Sequence, residues 1–502
     1  MMASRTSGTP IACYWVSCAV FFLLLSLSFT AFGLNVFTDT DPMWHIAAGD
    51  LIRASHAIPE HDPWSFTAGD YRWLNMSWLW DVIFSYIHEQ LHWHGTIAIN
   101  AMIIATIILL VYAHCLIKSQ DFFAAFLTTL IMVPMLVYNL RPLQITNLMV
   151  ALWMLLLSGI ARGHIRSGWL AIFPLLMLIW VNMHGGFMIG LILLGAFFLQ
   201  ALHEKNRPLA GALFGSGIAV TLTTLCTPYG ISIVEAALRT LSGTIEVILG
   251  EWKPFTATLT ELTLNMYLVL FCALVPRRPL PVLLCERWLS YIWLFLGLHS
   301  VRHLQIFSII SAPVFACVVR QAFVRDSSTP AAQKLENTLV QLCSQRSTRY
   351  SLLLLCIGVA VWLPSPMAAR VYHQESIEVH DLDKEINFIT QHYPKVRLLN
   401  SYDLGGILIY QTRGAIPVFV DARAGTAIPP SVFKDYLCFE KSCKDWEGML
   451  DRYNIDGAIV PNEGKYYDRF VSRRGWQEVF NGPKAAVFMR DGHPLSIAGT
   501  HK

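Results

Sequence analysis

Charge is what this chain of 502 residues has least of: 14% of it is Asp, Glu, Lys or Arg, against roughly 25% in soluble domains. A globule of that size in water needs more charged side chains to cover its surface, which excludes an ordinary cytosolic enzyme. Disorder is excluded from the other side, because 54% of the residues are hydrophobic and disordered chains are poor in Phe, Trp and Leu. A basic face is missing as well. The net charge is +3 and no basic patch appears outside short loops, so the electrostatic footprint of a nucleic-acid partner is absent. There is no G-x-S-x-G elbow, no G-x-x-x-x-G-K-[ST] loop, no H-E-x-x-H pair and no C-x-x-C pair. ATP-driven transport by this chain alone and protease chemistry therefore lack their residues. Internal repeats and low-complexity tracts are lacking too.

What is there is a series of long apolar runs. A helix crossing a bilayer needs about 20 mostly apolar residues, because unpaired backbone groups are not tolerated in hydrocarbon. About eleven segments qualify or come close: Ile11 to Leu34, Thr96 to Ile117, Phe122 to Tyr138, Leu143 to Ile160, Trp169 to Val181, Phe187 to His203, Leu209 to Cys226, Leu262 to Val275, Trp288 to Leu298, Gln305 to Phe323 and Tyr350 to Leu363. The first is longer than a signal-peptide core and no A-x-A site follows it, so it is read as a helix that stays. The positive-inside rule sets the orientation. With the N-terminus inside, the inner loops hold Lys118, Arg162, Arg166, Lys205, Arg207, Arg277, Arg278 and Arg287, and a last inner loop runs from Arg320 to Arg349. The first outer loop, 35–95, has Arg53 and Arg72 against Asp39, Asp41, Asp50, Glu60, Asp62, Asp70, Asp81 and Glu89.

From about Ser376 the composition turns to that of a soluble domain. Helical periodicity over Leu382 to His392 precedes β-like runs at Val396 to Leu399, Val418 to Asp421 and Ala458 to Val460. Further helices are expected at Val432 to Leu437 and Trp446 to Tyr453. A terminal hairpin, Trp476 to Phe480 and Ala485 to Met489, turns at Asn481-Gly482. The expected fold class is thus an α-helical polytopic membrane protein, residues 1–370, with a small extracytoplasmic α/β domain at 376–502. Nine of the eleven cysteines precede Tyr372, where Cys behaves as a small buried hydrophobe. Cys438 and Cys443 lie in the outer domain, where an oxidising compartment favours a disulfide and two free thiols are the alternative.

Ionisable residues at membrane depth are costly and usually functional, and here they collect at the outer span edges. Asp39 and Asp41 follow the first span and His45 follows them. Arg141 and His184 follow the third and fifth. Glu251 and Trp252 lie in the loop after the seventh, and Arg302 and His303 sit between the ninth and tenth. Two carboxylates at i and i+2 can bind a divalent cation or provide a general base. For Asp41 the alternative is helix capping, with Pro42 starting the helix. Arg141 can pair with a phosphate or anchor at the headgroups. Trp73, Trp78 and Trp80 read as an interfacial aromatic belt, with a stacking floor for a sugar as the alternative, and Asn75-Met76-Ser77 matches a glycosylation acceptor. Asp421-x-Arg423 reads as an ion pair within the outer domain.

The strings Thr38-Asp39-Thr40-Asp41-Pro42-Met43-Trp44-His45, Trp180 to Gly186, Thr227-Pro228-Tyr229-Gly230, Glu251-Trp252, Arg302-His303, Gly405-Gly406 and Val420 to Arg423 resemble a group of bacterial multi-span proteins. Their plan is similar to that of the GT-C glycosyltransferases. The resemblance covers nearly the whole chain. It implies transfer of a sugar, with inversion, from a polyprenyl-phosphate-linked donor to a lipid, glycan or protein acceptor outside a bacterial cytoplasmic membrane. It makes Asp39 or Asp41 the catalytic base and gives Arg141 and Arg302 the leaving phosphate, while His45, His184, Glu251, Trp252 and His303 at the same outer edge are read as further substrate-binding residues. The outer domain has no W-W-D-Y-G string, which argues against an oligosaccharyltransferase. No cofactor is expected, and a divalent cation is not required because no second acidic pair follows. The competing reading is a non-catalytic membrane component or transporter for envelope polysaccharide. Transport predicts charges near the midplane, whereas these gather at one interface.

Overall fold

A computed structural model of the chain describes residues 40–133, 139–241, 280–324, 382–423, 426–441 and 445–492, with Phe22, Leu23, Ser26, Leu136, Phe271 and Cys443 as isolated positions. In chain order the helices are α1 (Asp41–Ser55), α2 (Trp78–Ser119), α3 (Phe122–Met132), α4 (Leu143–Ala161), α5 (Phe173–Met183), α6 (Met188–His203), α7 (Arg207–Thr223) and α8 (Ser232–Leu241). They continue as α9 (Leu284–His299), α10 (Leu304–Val324), α11 (Asp383–His392), α12 (Tyr402–Thr412), α13 (Pro430–Glu440), α14 (Trp446–Arg452) and α15 (Lys465–Val471). The strands are β1 (Leu398–Asn400), β2 (Gly457–Pro461), β3 (Trp476–Asn481) and β4 (Ala485–Arg490).

The chain divides into two compact units, Met1–Gly33 with Ile97–Thr227 and Gly250–Tyr372, and Leu34–Thr96 with Pro228–Leu249 and His373–Lys502. The division expected near 370–376 leaves loop 35–95 with the membrane part; the units place it with the C-terminal residues instead. Helix α2 contains the change of unit, four residues after a non-helical break at His92 (φ 51°).

The first unit is helical. Four helical stretches among the described residues are long and apolar enough to cross a membrane: Trp78–Ser119, Leu143–Ala161, Gly185–His203 and Val301–Ala322. These mark an integral membrane protein. The expected spans at Phe122, Trp169, Leu209 and Trp288 are helical but shorter; those at Ile11, Leu262 and Tyr350 lie, apart from single residues, outside the described residues. Helix α9 shows how these helices differ from soluble ones. Cys285, Leu289, Trp293 and Gly297 are buried along one face, while the opposite face, Leu284, Trp288, Ile292 and Phe295, is apolar and exposed. A helix apolar on both faces with one of them uncovered is what a lipid solvent accommodates. Helices α2 and α9 are also tied by a buried ion pair, Lys118 Nζ to Glu286 Oε1 at 2.5 Å, and Glu286 Oε2 accepts the backbone N–H of Leu283.

The second unit is built on a four-stranded sheet in the order β1-β2-β4-β3. β1 pairs with β2 in parallel, and the other two ladders are antiparallel. Successive side chains of a strand point to opposite faces, and both faces are covered. Leu398, Ile459 and Val487 join a core with Ile389 of α11, Leu404 and Leu408 of α12, and Met43 and Trp44 of α1. Leu399, Ala458, Val460 and Phe488 join the other core with Phe433 and Tyr436 of α13 and Phe470 of α15. A helix from the first loop thus covers the sheet of the C-terminal segment. Cys438 and Cys443, after α13 begins, are bridged.

Several expectations change. Val418 to Asp421 is not a sheet strand: the Val418 N–H donates to the Trp64 carbonyl at 2.9 Å and its own carbonyl accepts the Phe66 N–H at 3.2 Å. Its partner is therefore the first loop, which periodicity cannot reveal. Helices α12 and α15 were not foreseen. The aromatic belt reading fails for Trp73 and Trp80, which are buried at 1% and 3% exposure, Trp73 inside the core of the second unit. Asn75 is equally buried, so the glycosylation reading is excluded in the folded chain.

Candidate functional site

In the second unit the acidic motif opens α1. Asp39 lies outside the described residues. Thr40, not Asp41, takes the capping position, without a side-chain cap bond; Asp41 is the first helical residue and Pro42 the second. A carboxylate in the first turn lies against the positive end of the helix dipole, and Asp41 is half-buried. One turn further, His45 is buried and its Nδ1 meets Asp81 Oδ1 of α2 at 2.6 Å. Asp81 is itself fully enclosed, and its Oδ2 accepts from Asn75 Nδ2 at 2.7 Å. The Asn75 side-chain oxygen Oδ1 accepts from the Ser77 N–H and hydroxyl, both at 3.1 Å. The Asn75 N–H donates to the Tyr229 hydroxyl at 3.1 Å. Burial pushes that hydroxyl well above the ordinary tyrosine value, so Tyr229 enters the network neutral. His45 was expected to bind substrate directly; one of its two nitrogens is instead held by the protein.

The pair Asp421 and Arg423 is part of the interior. Arg423 reaches Asp421 Oδ2 at 2.6 Å and Asp62 Oδ1 at 2.8 Å, with the Trp64 and Trp73 rings 4.7 and 4.8 Å from its guanidinium carbon. Burial opposes the charge, but the two carboxylates outweigh it and raise the pKa above that of a free arginine. All three charged side chains have no exposed surface, which leaves them no access to a substrate.

In the first unit the remaining predicted residues gather around the start of α4. Trp180 Nε1 donates to Thr146 Oγ1 at 3.0 Å. The Thr146 hydroxyl also lies 2.7 Å from His184 Nδ1, and it donates there if that nitrogen is an acceptor. The Gly186 N–H donates to the same nitrogen at 3.1 Å. With Nδ1 accepting twice, these contacts assign the ring proton of a neutral His184 to Nε2. Asn147 Nδ2, one residue along α4, donates to Gln305 Oε1 of α10 at 2.9 Å. Arg302 and His303 occupy the short turn directly before α10, and Arg141 the turn before α4. The backbone segments carrying Arg141, His184, Arg302 and His303 are therefore brought to one end of the helices. Guanidinium groups, an imidazole N–H and a helix N-terminus are the equipment of a phosphate site.

Glu251 and Trp252 lie outside the described residues. Among those described, no group of three or more His, Cys, Asp or Glu side chains stands together as a metal site. The sequence reading missed Asp81, Asn75 and Thr146 as members of these networks. The available signal was Asp81 itself, a carboxylate in the apolar string Trp78-Leu79-Trp80-Asp81-Val82-Ile83, where an acid is costly unless it has a partner.

No protein-family model and no curated protein matches the chain. Solved structures do. The archaeal oligosaccharyltransferase AglB from Archaeoglobus fulgidus, in complex with an inhibitory peptide and a dolichol-phosphate, superposes with a TM-score of 0.51 at 13% identity, over 91% of this chain and 70% of that one. The apo form of an Archaeoglobus fulgidus oligosaccharyltransferase gives 0.54 at 15% identity, over 91% and 71%. The chain shares the fold of these two structures.

Proposed function

We propose that the protein is a membrane glycosyltransferase that takes a sugar from a polyprenyl-phosphate-linked donor and passes it to a lipid, glycan or protein acceptor. The observation that carries this reading is the gathering of Arg141, His184, Arg302 and His303 at the start of α4, in a chain whose fold is that of an enzyme solved with a dolichol-phosphate. In this reading the cations hold the phosphate of the donor. Charge grows on that phosphate as the glycosidic bond breaks, so donors placed there favour the transition state over the ground state. His184, with its proton on Nε2, serves as a hydrogen-bond donor and not as a base. The base is a carboxylate of the acidic motif, Asp41 or Asp39. It takes the acceptor's proton as the acceptor attacks the anomeric carbon from the face opposite the phosphate, which inverts the configuration. The proposed setting is the bacterial cytoplasmic membrane, with the second unit outside.

The test uses the full-length protein in membranes supplied with radiolabelled polyprenyl-phosphate sugar. Asp39→Asn and Asp41→Asn are compared with the wild type for label moved to acceptor; full transfer by both variants would sink the assignment. Lipid-linked glycans and surface polysaccharide, compared between a deletion strain and its parent, then identify the sugar and acceptor. An accumulated lipid-linked sugar is expected in the deletion strain. Unchanged lipid-linked pools and an altered polysaccharide length would favour the non-catalytic assembly component.

A further inference from the structure

The hydrogen-bonded chain Asn75–Asp81–His45 has the form of a proton-transfer device. It joins parts of the sequence from three places: the acidic motif on α1, the segment leading into α2, and Tyr229. Asp81 is enclosed, and each of its oxygens receives a donor, Asn75 on Oδ2 and His45 on Oδ1. In its ionised form the Asp81 carboxylate only accepts, and His45 Nδ1 then carries a proton and donates it. The exchangeable position of the ring is then Nε2, which has no hydrogen-bond partner among the described residues. His45 is four residues after Asp41 on one helix, hence on the same face. Side chains on a helix lean toward its N-terminus and cover the turn before their own Cα, which for His45 is the turn that begins with Asp41.

We infer that His45 is a relay residue that empties the catalytic carboxylate: it accepts at Nε2 the proton that Asp41 has taken from the acceptor, while Asp81 compensates the charge. The inference rests on the glycosyltransferase reading above. As the acceptor oxygen bonds to the anomeric carbon, its O–H bond breaks and the proton goes to the Asp41 carboxylate. The bond from the anomeric carbon to the phosphate oxygen breaks with its electron pair left on the phosphate. The new O–H bond on Asp41 then breaks as an N–H bond forms on His45, and the imidazolium gives its proton to water. A buried carboxylate that orients an imidazole through Nδ1 and stabilises its charged form is how such rings are made effective acid–base groups. Asp81 of α2 holds His45 Nδ1, Asp41 stands one turn before His45 on α1, and on α12, whose Gly406 meets the Thr40 carbonyl, Asp403 stands one turn before that glycine.

The experiment uses full-length protein in proteoliposomes with the same radiolabelled polyprenyl-phosphate sugar, measured for kcat and KM from acid to alkaline pH. His45→Gln keeps a hydrogen-bond donor for Asp81 but cannot take a proton. It is expected to lower kcat about 100-fold, the low end of a general acid–base contribution, with KM within about twofold, and to move the acid limb of the profile downward, because a carboxylate replaces an imidazole as the group that limits the rate. Asn75→Ala removes a donor from Asp81, strengthens its hold on the imidazolium and is expected to move the same limb upward. A His45→Gln enzyme with wild-type rate and an unmoved limb, beside an inactive Asp41→Asn enzyme, overturns the relay and leaves the glycosyltransferase reading standing. Full activity in both Asp39→Asn and Asp41→Asn overturns that reading and the relay with it. If His45→Gln loses its thermal transition, Asn75→Ala decides: an upward shift supports the relay and an unmoved limb rejects it.

Discussion

Arg423 and Asp62 are 361 residues apart in the chain and 2.8 Å apart in the fold, both without exposed surface. The guanidinium serves two carboxylates at once and lies between two tryptophan rings, so it holds the first loop to the C-terminal segment by charge, hydrogen bonding and ring contact together. Removing one member of a buried pair strands the others in a medium that cannot solvate them, at a cost of about 3–5 kcal/mol. Arg423→Gln and Asp62→Asn are each expected to lose that much in thermal unfolding of the purified protein. Arg423→Lys is expected to recover little, because an ammonium cannot meet two carboxylates in a planar fork. Independent, additive losses in the double variant would mean that the two residues do not act as a pair.

A second buried pair behaves differently on double replacement. Lys118 and Glu286 have side chains 1% and 2% exposed, and they lie at the last turn of α2 and the first turn of α9. Lys118→Met or Glu286→Gln alone leaves a charge or a polar group without its partner, and a loss of about 3–5 kcal/mol is expected in unfolding or in detergent stability. Lys118→Met with Glu286→Leu removes both charges and their desolvation cost, so most of the stability should return. A double variant as poor as the singles would show that the Leu283 cap, which Glu286 also supplies, matters more than the ion pair.

These two pairs also show which features were legible in advance. The membrane class, most helices and the terminal hairpin follow from composition and periodicity, because each depends on the residues of one segment. Asp421 to Arg423 was readable as an ion pair for the same reason. Asp62 was not, since nothing in the chain between it and Arg423, 361 positions on, encodes their meeting. The tryptophans misled by their number: a Trp-rich segment near a span resembles an interfacial belt, yet Trp73 is needed beneath Arg423. Of the site, the segments carrying Arg141, His184 and Arg302 could be placed at one end of the helices from span counting alone. The hydrogen bonds that set the His184 tautomer, and Asp81 behind His45, required the packing.

The bridge between Cys438 and Cys443 closes a short loop, which limits its effect through the unfolded chain to about 2 kcal/mol. Cys438→Ser should lower stability by no more than that and leave α13 in place. Thiol labelling under denaturing conditions, before and after reduction, should reveal two additional reactive cysteines only after reduction. Equal labelling in both samples would mean that the pair is reduced in the cell.

Asn75 satisfies a glycosylation pattern by sequence, but its amide is committed to Asp81 and Ser77. In a glycosylating host the folded protein is expected to show no mass shift on endoglycosidase treatment. A Ser77→Ala control, which destroys the pattern, should have the same mass apart from the substitution. A glycan on the wild type that disappears in this control would show that the segment is modified before it folds around Asp81.

The glycines Gly405 and Gly406 separate stability from position. A Cβ on Gly405 would lie 2.3 Å from the Val420 carbonyl oxygen and 2.7 Å from Asp421 Cβ, and one on Gly406 would lie 2.7 Å from the Thr40 carbonyl oxygen. Backbone atoms cannot swing aside as a side-chain end can, so either methyl group must push a segment away. For Gly405 that segment carries Asp421 and the Arg423 cluster, and Gly405→Ala is expected to destabilise the second unit by about 1–3 kcal/mol, the usual cost of overpacking. For Gly406 the displaced group is the residue just before Asp41. A shift of about 1 Å in a reacting group can cost about 100-fold in rate. Gly406→Ala should therefore lose sugar transfer far more than melting temperature, while Gly405→Ala loses the two together. If Gly406→Ala transfers sugar at the wild-type rate, the start of α1 is not where the acceptor's proton is removed.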